Sequence, residues 1–204
     1  MKLYFSPGAC SLSPHIVLRE AGLAFDIERV DLKTKTTAGG TDFRGINPKG
    51  YVPALQLDDG SVLTEGPAIV QYVADQAPQA QLAPPLGSLA RYHLMETLNF
   101  ISTELHKGFS PLFDPTAPDA LKAAARSRLA TRIAMVEQML GESDYLSGAQ
   151  FTVADAYAFV VLGWSRHVNV DLSAYPRVQA FLARIAQRPA VHEAMLAEGL
   201  IKRA

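Results

Sequence analysis

A thiol, a carboxylate and an imidazole are the groups in this sequence whose surroundings suit chemistry. The only cysteine, Cys10, lies in Ser6-Pro7-Gly8-Ala9-Cys10-Ser11, directly after a predicted strand and directly before a predicted helix. Backbone N–H groups and the helix dipole gather at such a place, stabilise an anion and lower a thiol's pKa. A lone cysteine is most often a small buried hydrophobe. Its position in a turn rather than a strand favours a functional thiol. Cys10-Ser11-Leu12-Ser13 has serine where a dithiol oxidoreductase needs its resolving cysteine, so any disulfide chemistry must use an external thiol.

Two further segments could bind a small molecule. In Asn47-Pro48-Lys49-Gly50-Tyr51-Val52-Pro53-Ala54-Leu55 a proline stands just before a strand. If Pro53 is cis, the Val52 backbone is left to pair with an extended peptide ligand; a trans proline at a strand start is the ordinary alternative. Thr64-Glu65-Gly66-Pro67 places a carboxylate and a glycine at a helix N-terminus. Free N–H groups there can accept a ligand carboxylate while Glu65 pairs with an ammonium, which suits the α-amino acid end of a γ-glutamyl group. Plain N-terminal decoration, with Glu favoured by the dipole and Pro67 in the first turn, fits equally well.

The imidazole is His106. Glu96, Asn99, Thr103, His106 and Ser110 fall within about 80° of one another on a regular helix, while Leu94, Leu98, Ile101, Leu105 and Phe109 take the opposite face. Polar stripes are usually solvated faces. This one carries uncharged hydrogen-bonding groups and a histidine in place of the usual Lys and Glu, which suits a cleft wall, and Lys107 adds positive charge at its far end.

The elements that must position these groups are legible in outline. Lys2 to Phe5 reads as a strand, Ser11 to Ala21 as a helix with Ile16 and Val17 inward and Gly22 stopping it, and Phe25 to Val30 as a half-buried strand. Together they make a βαβ unit with a right-handed crossover. The polar, glycine-bearing stretch from Asp31 to Gly50, with Lys33 and Lys35, reads as irregular and functional. Ala54 to Leu57 and Ser61 to Leu63 flank Asp58-Asp59-Gly60, a hairpin signal, and Gly66-Pro67 opens a helix to about Ala77. The fold class is therefore an α/β N-terminal domain, βαβ then ββα, at 1–77, a proline-bearing linker at 78–87, and an all-α C-terminal domain at 88–204. In the last, Leu129, Ile133, Val136 and Leu140 recur at helical spacing, Thr152-Val153-Ala154-Asp155 resembles a capping box opening an apolar helix, and Pro176 and Pro189 mark helix starts.

Composition removes other classes. The 204 residues are 49% hydrophobic, and 19 basic against 20 acidic residues give a net charge of −1, which offers nothing to nucleic acid or an anionic membrane. The five histidines match no usual zinc spacing, so no metal is expected. Lys2-Leu3-Tyr4-Phe5 leaves no room for a signal-peptide core, and the longest apolar run, Tyr157 to Trp164, is far below the roughly 20 residues that span a bilayer. A cytoplasmic protein is expected. Gly40 to Gly45 has phosphate-loop spacing but Ile46-Asn47 follows it, and neither GxGxxG nor Gly-x-Ser-x-Gly occurs.

Taken in order, Met1-Lys2-Leu3-Tyr4 with Pro7-Gly8-Ala9-Cys10-Ser11, Asn47-Pro48-Lys49-Gly50 with Val52-Pro53, Leu63-Thr64-Glu65-Gly66, Glu104-Leu105-His106-Lys107 and Phe151-Thr152-Val153-Ala154-Asp155 give the chain its closest likeness. It resembles cytosolic glutathione transferases, specifically the bacterial beta class, over essentially its whole length. The resemblance implies a thioredoxin-like N-terminal domain, an all-helical C-terminal domain, a homodimer, and glutathione in the cleft between the domains. It implies Glu65 and Gly66 for the γ-glutamyl end, Val52 before a cis Pro53 for the cysteinyl backbone, Lys35 for the glycine carboxylate, and Cys10 at the sulfur. Asn99, Thr103, Glu104 and His106 would come from the helical domain, with Glu104 off the stripe's centre. Many of these transferases have serine where this chain has Gly66, which removes a hydroxyl contact. The tyrosine or serine that activates the thiol in other classes has no clear counterpart, Tyr4 and Ser11 being the nearest in sequence.

The leading expectation is conjugation of the glutathione thiolate to a hydrophobic electrophile, with Cys10 and His106 catalytic and glutathione-dependent thiol and peroxide chemistry as a side activity. A second is Cys10 as nucleophile, giving thiol transfer, peroxide reduction or reductive dehalogenation through a mixed disulfide. A third is a binding protein for hydrophobic ligands without turnover.

Overall fold

The computed structural model describes residues 1–202. Strands β1 (Lys2–Phe5), β2 (Asp26–Asp31), β3 (Thr36–Thr37), β4 (Ala54–Gln56) and β5 (Val62–Thr64) form one mixed sheet in the order β3-β2-β1-β4-β5. β1 is central, with Leu3, Tyr4 and Phe5 buried, and pairs parallel to β2 from Lys2↔Asp26 to Phe5↔Arg29. β4 runs antiparallel to β1 and to β5. Helices α1 (Leu12–Glu20) and α2 (Gly66–Gln76) complete the expected βαβ and ββα order. The hairpin closes where Asp58-Asp59-Gly60 predicts it: Gly60 has φ 86°, and the Asp59 carboxylate accepts the Ser61 N–H at 2.9 Å. β3 is absent from the sequence reading, because two residues carry no periodicity and Thr36-Thr37 is a strand only through its pairing with Val30 and Asp31.

The helices that follow are α3 (Leu89–Phe100), α4 (Lys107–Phe113), α5 (Asp119–Leu140), α6 (Val153–Gly163), α7 (Pro176–Ala186) and α8 (Pro189–Ala197). Pro176 and Pro189 are the first residues of their helices, as expected. So is the capping box: Asp155 Oδ2 accepts the Thr152 N–H at 2.7 Å and the Thr152 hydroxyl at 2.9 Å, while Oδ1 accepts the Leu146 N–H at 2.8 Å. Leu94, Leu98, Ile101, Leu105 and Phe109 are buried, as the stripe requires. The helix bearing them is not regular, however. Ile101–His106 is a π-helical turn joining α3 to α4, and its wider turn shifts Glu104 and His106 out of the register that 3.6 residues per turn gives.

The chain divides into a unit of Met1–Ala83 together with the stretch from Gln187 onward, and a second unit of Pro84–Ala186. Helix α8, which falls within the expected stretch 88–204, packs on α1 in the first unit. The reason is polar as well as apolar. Along α1, Glu20 takes the Arg188 guanidinium at 2.6 and 2.9 Å, Arg19 reaches Glu193 at 3.1 Å, and His15 meets Glu198 at 2.9 Å. With α2 and α8 packed on α1, seven consecutive residues, Leu12 to Leu18, are buried, where the sequence suggests one inward stripe.

Candidate active site

In the first unit the site is built on two loops. Ser6 to Ser11 forms the turn after β1. The Ala9 N–H bonds the Ser6 carbonyl at 3.0 Å, and the buried Ser11 hydroxyl accepts the Ser6 N–H at 3.1 Å while donating to the Ser6 carbonyl at 3.3 Å. This closed turn delivers Cys10 half-buried, two residues ahead of α1. Its thiol donates to the Val52 carbonyl at 3.3 Å. A thiolate would be repelled by that oxygen, so the geometry belongs to the neutral thiol.

The second loop is organised by Asn47, which is buried. Its amide donates to the Tyr51 carbonyl at 2.7 Å, its side-chain oxygen accepts the Lys49 N–H at 3.2 Å, and its own carbonyl takes the Gly50 N–H at 2.8 Å. The Val52 side chain packs with Tyr4, Val30, Phe43 and Ala54, which fixes the backbone of Val52 in place. The Val52-Pro53 bond is cis. Lys35, at φ 60°, sits in the turn from β2 to β3, where its N–H bonds the Asp31 carbonyl at 2.8 Å and its carbonyl accepts the Phe43 N–H at 2.8 Å. Its aliphatic stem passes Gly50: a β-carbon built there lies 3.7 Å from Lys35 Cδ.

Glu65 caps α2 with φ 72°, a conformation that costs a non-glycine residue roughly 1–3 kcal/mol. Its carboxylate accepts from the Lys49 ammonium and, at 3.0 Å, from the Tyr51 hydroxyl. The same carboxylate raises both the Lys49 ammonium and the Tyr51 phenol above their ordinary pKa values. Gly66 follows as the first helical residue, and a β-carbon on it would meet only Pro53 Cγ at 4.0 Å. Cys10, Val52, Pro53, Lys35, Glu65 and Gly66 therefore all lie on this one unit. Tyr4 and Ser11 are otherwise engaged: Tyr4 donates its hydroxyl to Gln56 Oε1 at 3.1 Å, and Ser11 is spent on the Ser6 backbone.

In the second unit His106 stands at the end of the π-helical turn, half-buried, its Nδ1 2.6 Å from the Tyr157 hydroxyl. Its ring meets those of Tyr157 and Trp164 edge-on, with centroids 5.9 and 4.9 Å away. Trp164 in turn contacts Phe109 and the half-exposed Phe113. Asn99 and Thr103 lie exposed beside one another, the Thr103 hydroxyl bonding the Asn99 carbonyl at 3.0 Å. Glu104 does not join them. Its carboxylate accepts from Arg128 at 3.1 Å and Arg132 at 2.6 Å on α5, and those bonds hold it below the usual carboxylate range.

Sequence reasoning missed Lys49 and Tyr51 as partners of Glu65, and Tyr157 and Trp164 as partners of His106. Tyr51 is within reach of such reasoning, since it stands inside the Asn47–Pro53 segment. Tyr157 carries one signal, a hydroxyl inside an otherwise apolar helix that must find a partner when buried. Among the described residues no group of three His, Cys, Asp or Glu could hold a metal ion, and no helix is long and apolar enough to cross a membrane.

Residues 8–76 match the family model for the glutathione S-transferase N-terminal domain, and residues 100–189 the model for the glutathione S-transferase C-terminal domain. The chain is 48% identical over 200 residues to glutathione S-transferase GstA of Escherichia coli O157:H7, covering 98% of this chain and all of that one. Among solved structures it is similar to BphK, a bacterial GST in a ternary complex, at 62% identity and a TM-score of 0.97, over 98% of this chain and 100% of that chain. It is also similar to the bacterial beta-class glutathione S-transferase of Sphingomonas chungbukensis, at 51% identity and a TM-score of 0.96 over 98% and 100% of the two chains. A sphingomonad glutathione S-transferase complexed with glutathione matches at 50% identity and 0.95, with the same coverage.

Proposed function

This chain belongs to the glutathione S-transferase family, and from that premise we propose how these residues serve a glutathione transferase. The enzyme joins the sulfur of glutathione to an electrophilic carbon on a hydrophobic co-substrate. The glutathione thiol gives up its proton to solvent, the sulfur lone pair forms the new S–C bond, and the electrons of the broken bond leave with a halide ion or open an epoxide to an alkoxide that takes a proton from solvent.

Glu65, held by Lys49 and Tyr51, receives the α-ammonium of the γ-glutamyl group, and the N–H at the start of α2 meets its carboxylate. The fixed backbone of Val52 pairs with the cysteinyl residue, and Lys35 takes the glycine carboxylate. The observation that carries the reading is the Cys10 thiol on the Val52 carbonyl, which puts Cys10 on the segment that grips the cysteinyl part of the ligand. When glutathione binds, the single S–H of Cys10 turns from the Val52 carbonyl to the glutathione thiolate, so that Cys10 serves conjugation as a donor and not as a second anion. That same bond favours conjugation over the reading in which Cys10 is the nucleophile. His106, with Trp164 and Phe113 beside it, contacts the apolar co-substrate, and Asn99 and Thr103 offer polar contacts to it or to glutathione. Glu104 acts as an anchor for Arg128 and Arg132, not as a ligand.

Conjugation of glutathione to an activated chloronitrobenzene, followed by thioether absorbance, tests the reading. Turnover above the uncatalysed rate is expected; its absence alongside active disulfide reduction would favour the nucleophilic cysteine. We further assign the protein to detoxification in the cytoplasm as a homodimer, which gel filtration at about twice the chain mass of 22.1 kDa would support.

A further inference from the structure

Helix α5 holds the chain on both sides of His106. Before it, inside the π-helical turn, the Glu104 carboxylate accepts from Arg132 at 2.6 Å and from Arg128 at 3.1 Å. After it, Gly108 is the second residue of α4, and a β-carbon there would lie 2.9 Å from Leu129 Cδ2 and 3.4 Å from Leu129 Cγ. No other glycine in the chain has a neighbour that close. Non-bonded carbons rest about 3.5–4.0 Å apart, so an added carbon asks for roughly 0.6 Å or more of separation. Leu129 is fully buried and cannot turn aside in a close-packed interior. Arg128, Leu129 and Arg132 share about one turn of α5. His106 therefore stands between a polar hold at Glu104 and a contact hold at Gly108, both made by that turn, while its Nδ1 lies 2.6 Å from the Tyr157 hydroxyl and its ring meets Trp164 edge-on.

We propose that Gly108 is a positioning residue for the reaction: by admitting Leu129 against its backbone it lets α5 grip the chain on both sides of His106 and seat the imidazole on the Tyr157 hydroxyl, beside Trp164. Helix packing for stability alone is a poor account of this glycine. Its φ is not positive, so the backbone does not require it, and glycine is a poor helix former. Alanine at 108 opposite a smaller side chain at 129 would fill the same space. What glycine adds is the close approach of α4 to α5. The proposal rests on the reading that His106 contacts the co-substrate.

Gly108→Ala tests it, assayed well below its unfolding midpoint. For the chloronitrobenzene kcat/KM should fall about tenfold, with KM for glutathione within about twofold, because Glu65, Val52 and Lys35 belong to the first unit. Trp164 is the only tryptophan, and its ring centroid lies 4.9 Å from that of His106, so its emission reports the imidazole's place without reference to transfer. In Gly108→Ala that emission should shift toward the emission of His106→Ala. The double variant Gly108→Ala with Leu129→Ala removes the two carbons that stand in the way, and should recover both readouts. Glu104→Ala opens the polar hold, and should shift the emission in the same direction and lower kcat/KM about threefold. If Gly108→Ala alone does not fold, a folded double variant with near-native readouts upholds the proposal; if neither folds, Glu104→Ala decides, a shifted emission upholding it and an unchanged one overturning it. Unchanged emission in a folded Gly108→Ala, whatever its kcat/KM, or a folded double variant with no recovery, overturns it. Shifted emission with unaltered kcat/KM upholds the positioning and sinks the reading of His106 at the co-substrate.

Discussion

With its thiol 3.3 Å from the Val52 carbonyl, Cys10 is placed to donate, and the two kinds of sulfur chemistry part at this atom. Cys10→Ala should keep conjugation within about tenfold of the native rate, a lost hydrogen bond being worth about 1–1.5 kcal/mol. It should abolish any mixed disulfide with glutathione, as read by intact mass after treatment with oxidised glutathione. At Gly66 the φ is ordinary and the nearest obstacle to a β-carbon is 4.0 Å away, so Gly66→Ser should fold normally. Its hydroxyl should lower KM for glutathione several-fold, about 1 kcal/mol for one added hydrogen bond, with kcat little changed. Tyr157→Phe removes the hydroxyl that stands 2.6 Å from His106 Nδ1 in a half-buried place, and should destabilise the second unit by about 1–3 kcal/mol on denaturant unfolding. The legible part of the site at this scale was each residue's type and segment. What Glu65 and His106 touch was not legible, since Lys49 and Tyr51 reach Glu65 across 14 to 16 residues and Tyr157 reaches His106 across 51.

At the scale of elements, local patterns with strong end signals were readable. The capping box at Thr152, the prolines opening α7 and α8, and the β4–β5 hairpin all stand where residue chemistry puts them, because each depends on neighbours close by in the chain. The π-helical turn at Ile101–His106 has no comparable signal. Within it, Glu104 pairs with Arg128 and Arg132 on α5. Those partners lower the Glu104 pKa in the folded chain relative to its usual 4.5. A depressed carboxylate contributes stability above its unfolded pKa and loses it as pH falls through the folded value. Glu104→Gln should therefore flatten the acid limb of a stability–pH curve below about pH 4.5, the usual value, while the two proteins differ by a constant amount near neutrality.

For the whole molecule, the telling segment is the stretch from Gln187, which the sequence pattern assigns to the helical domain and which packs into the first unit. A chain ended at Ala186 would lose Arg188, Glu193 and Glu198 and uncover the α8-facing side of α1. It should lose the cooperative unfolding transition of the first unit and bind a hydrophobic dye. By itself the sequence determined the class of fold, the family, and the short segments that carry the site, because those follow from side-chain periodicity, turn residues and motifs that are contiguous in the chain. Tertiary structure alone decided that Glu198 holds Gly8 from 190 residues away, that Glu104 is committed to α5, and that Cys10 donates to Val52. Each of these is a hydrogen bond whose partner is selected by burial, where an unpaired polar group is costly, and burial is a property of the packed chain that no local pattern of residues encodes.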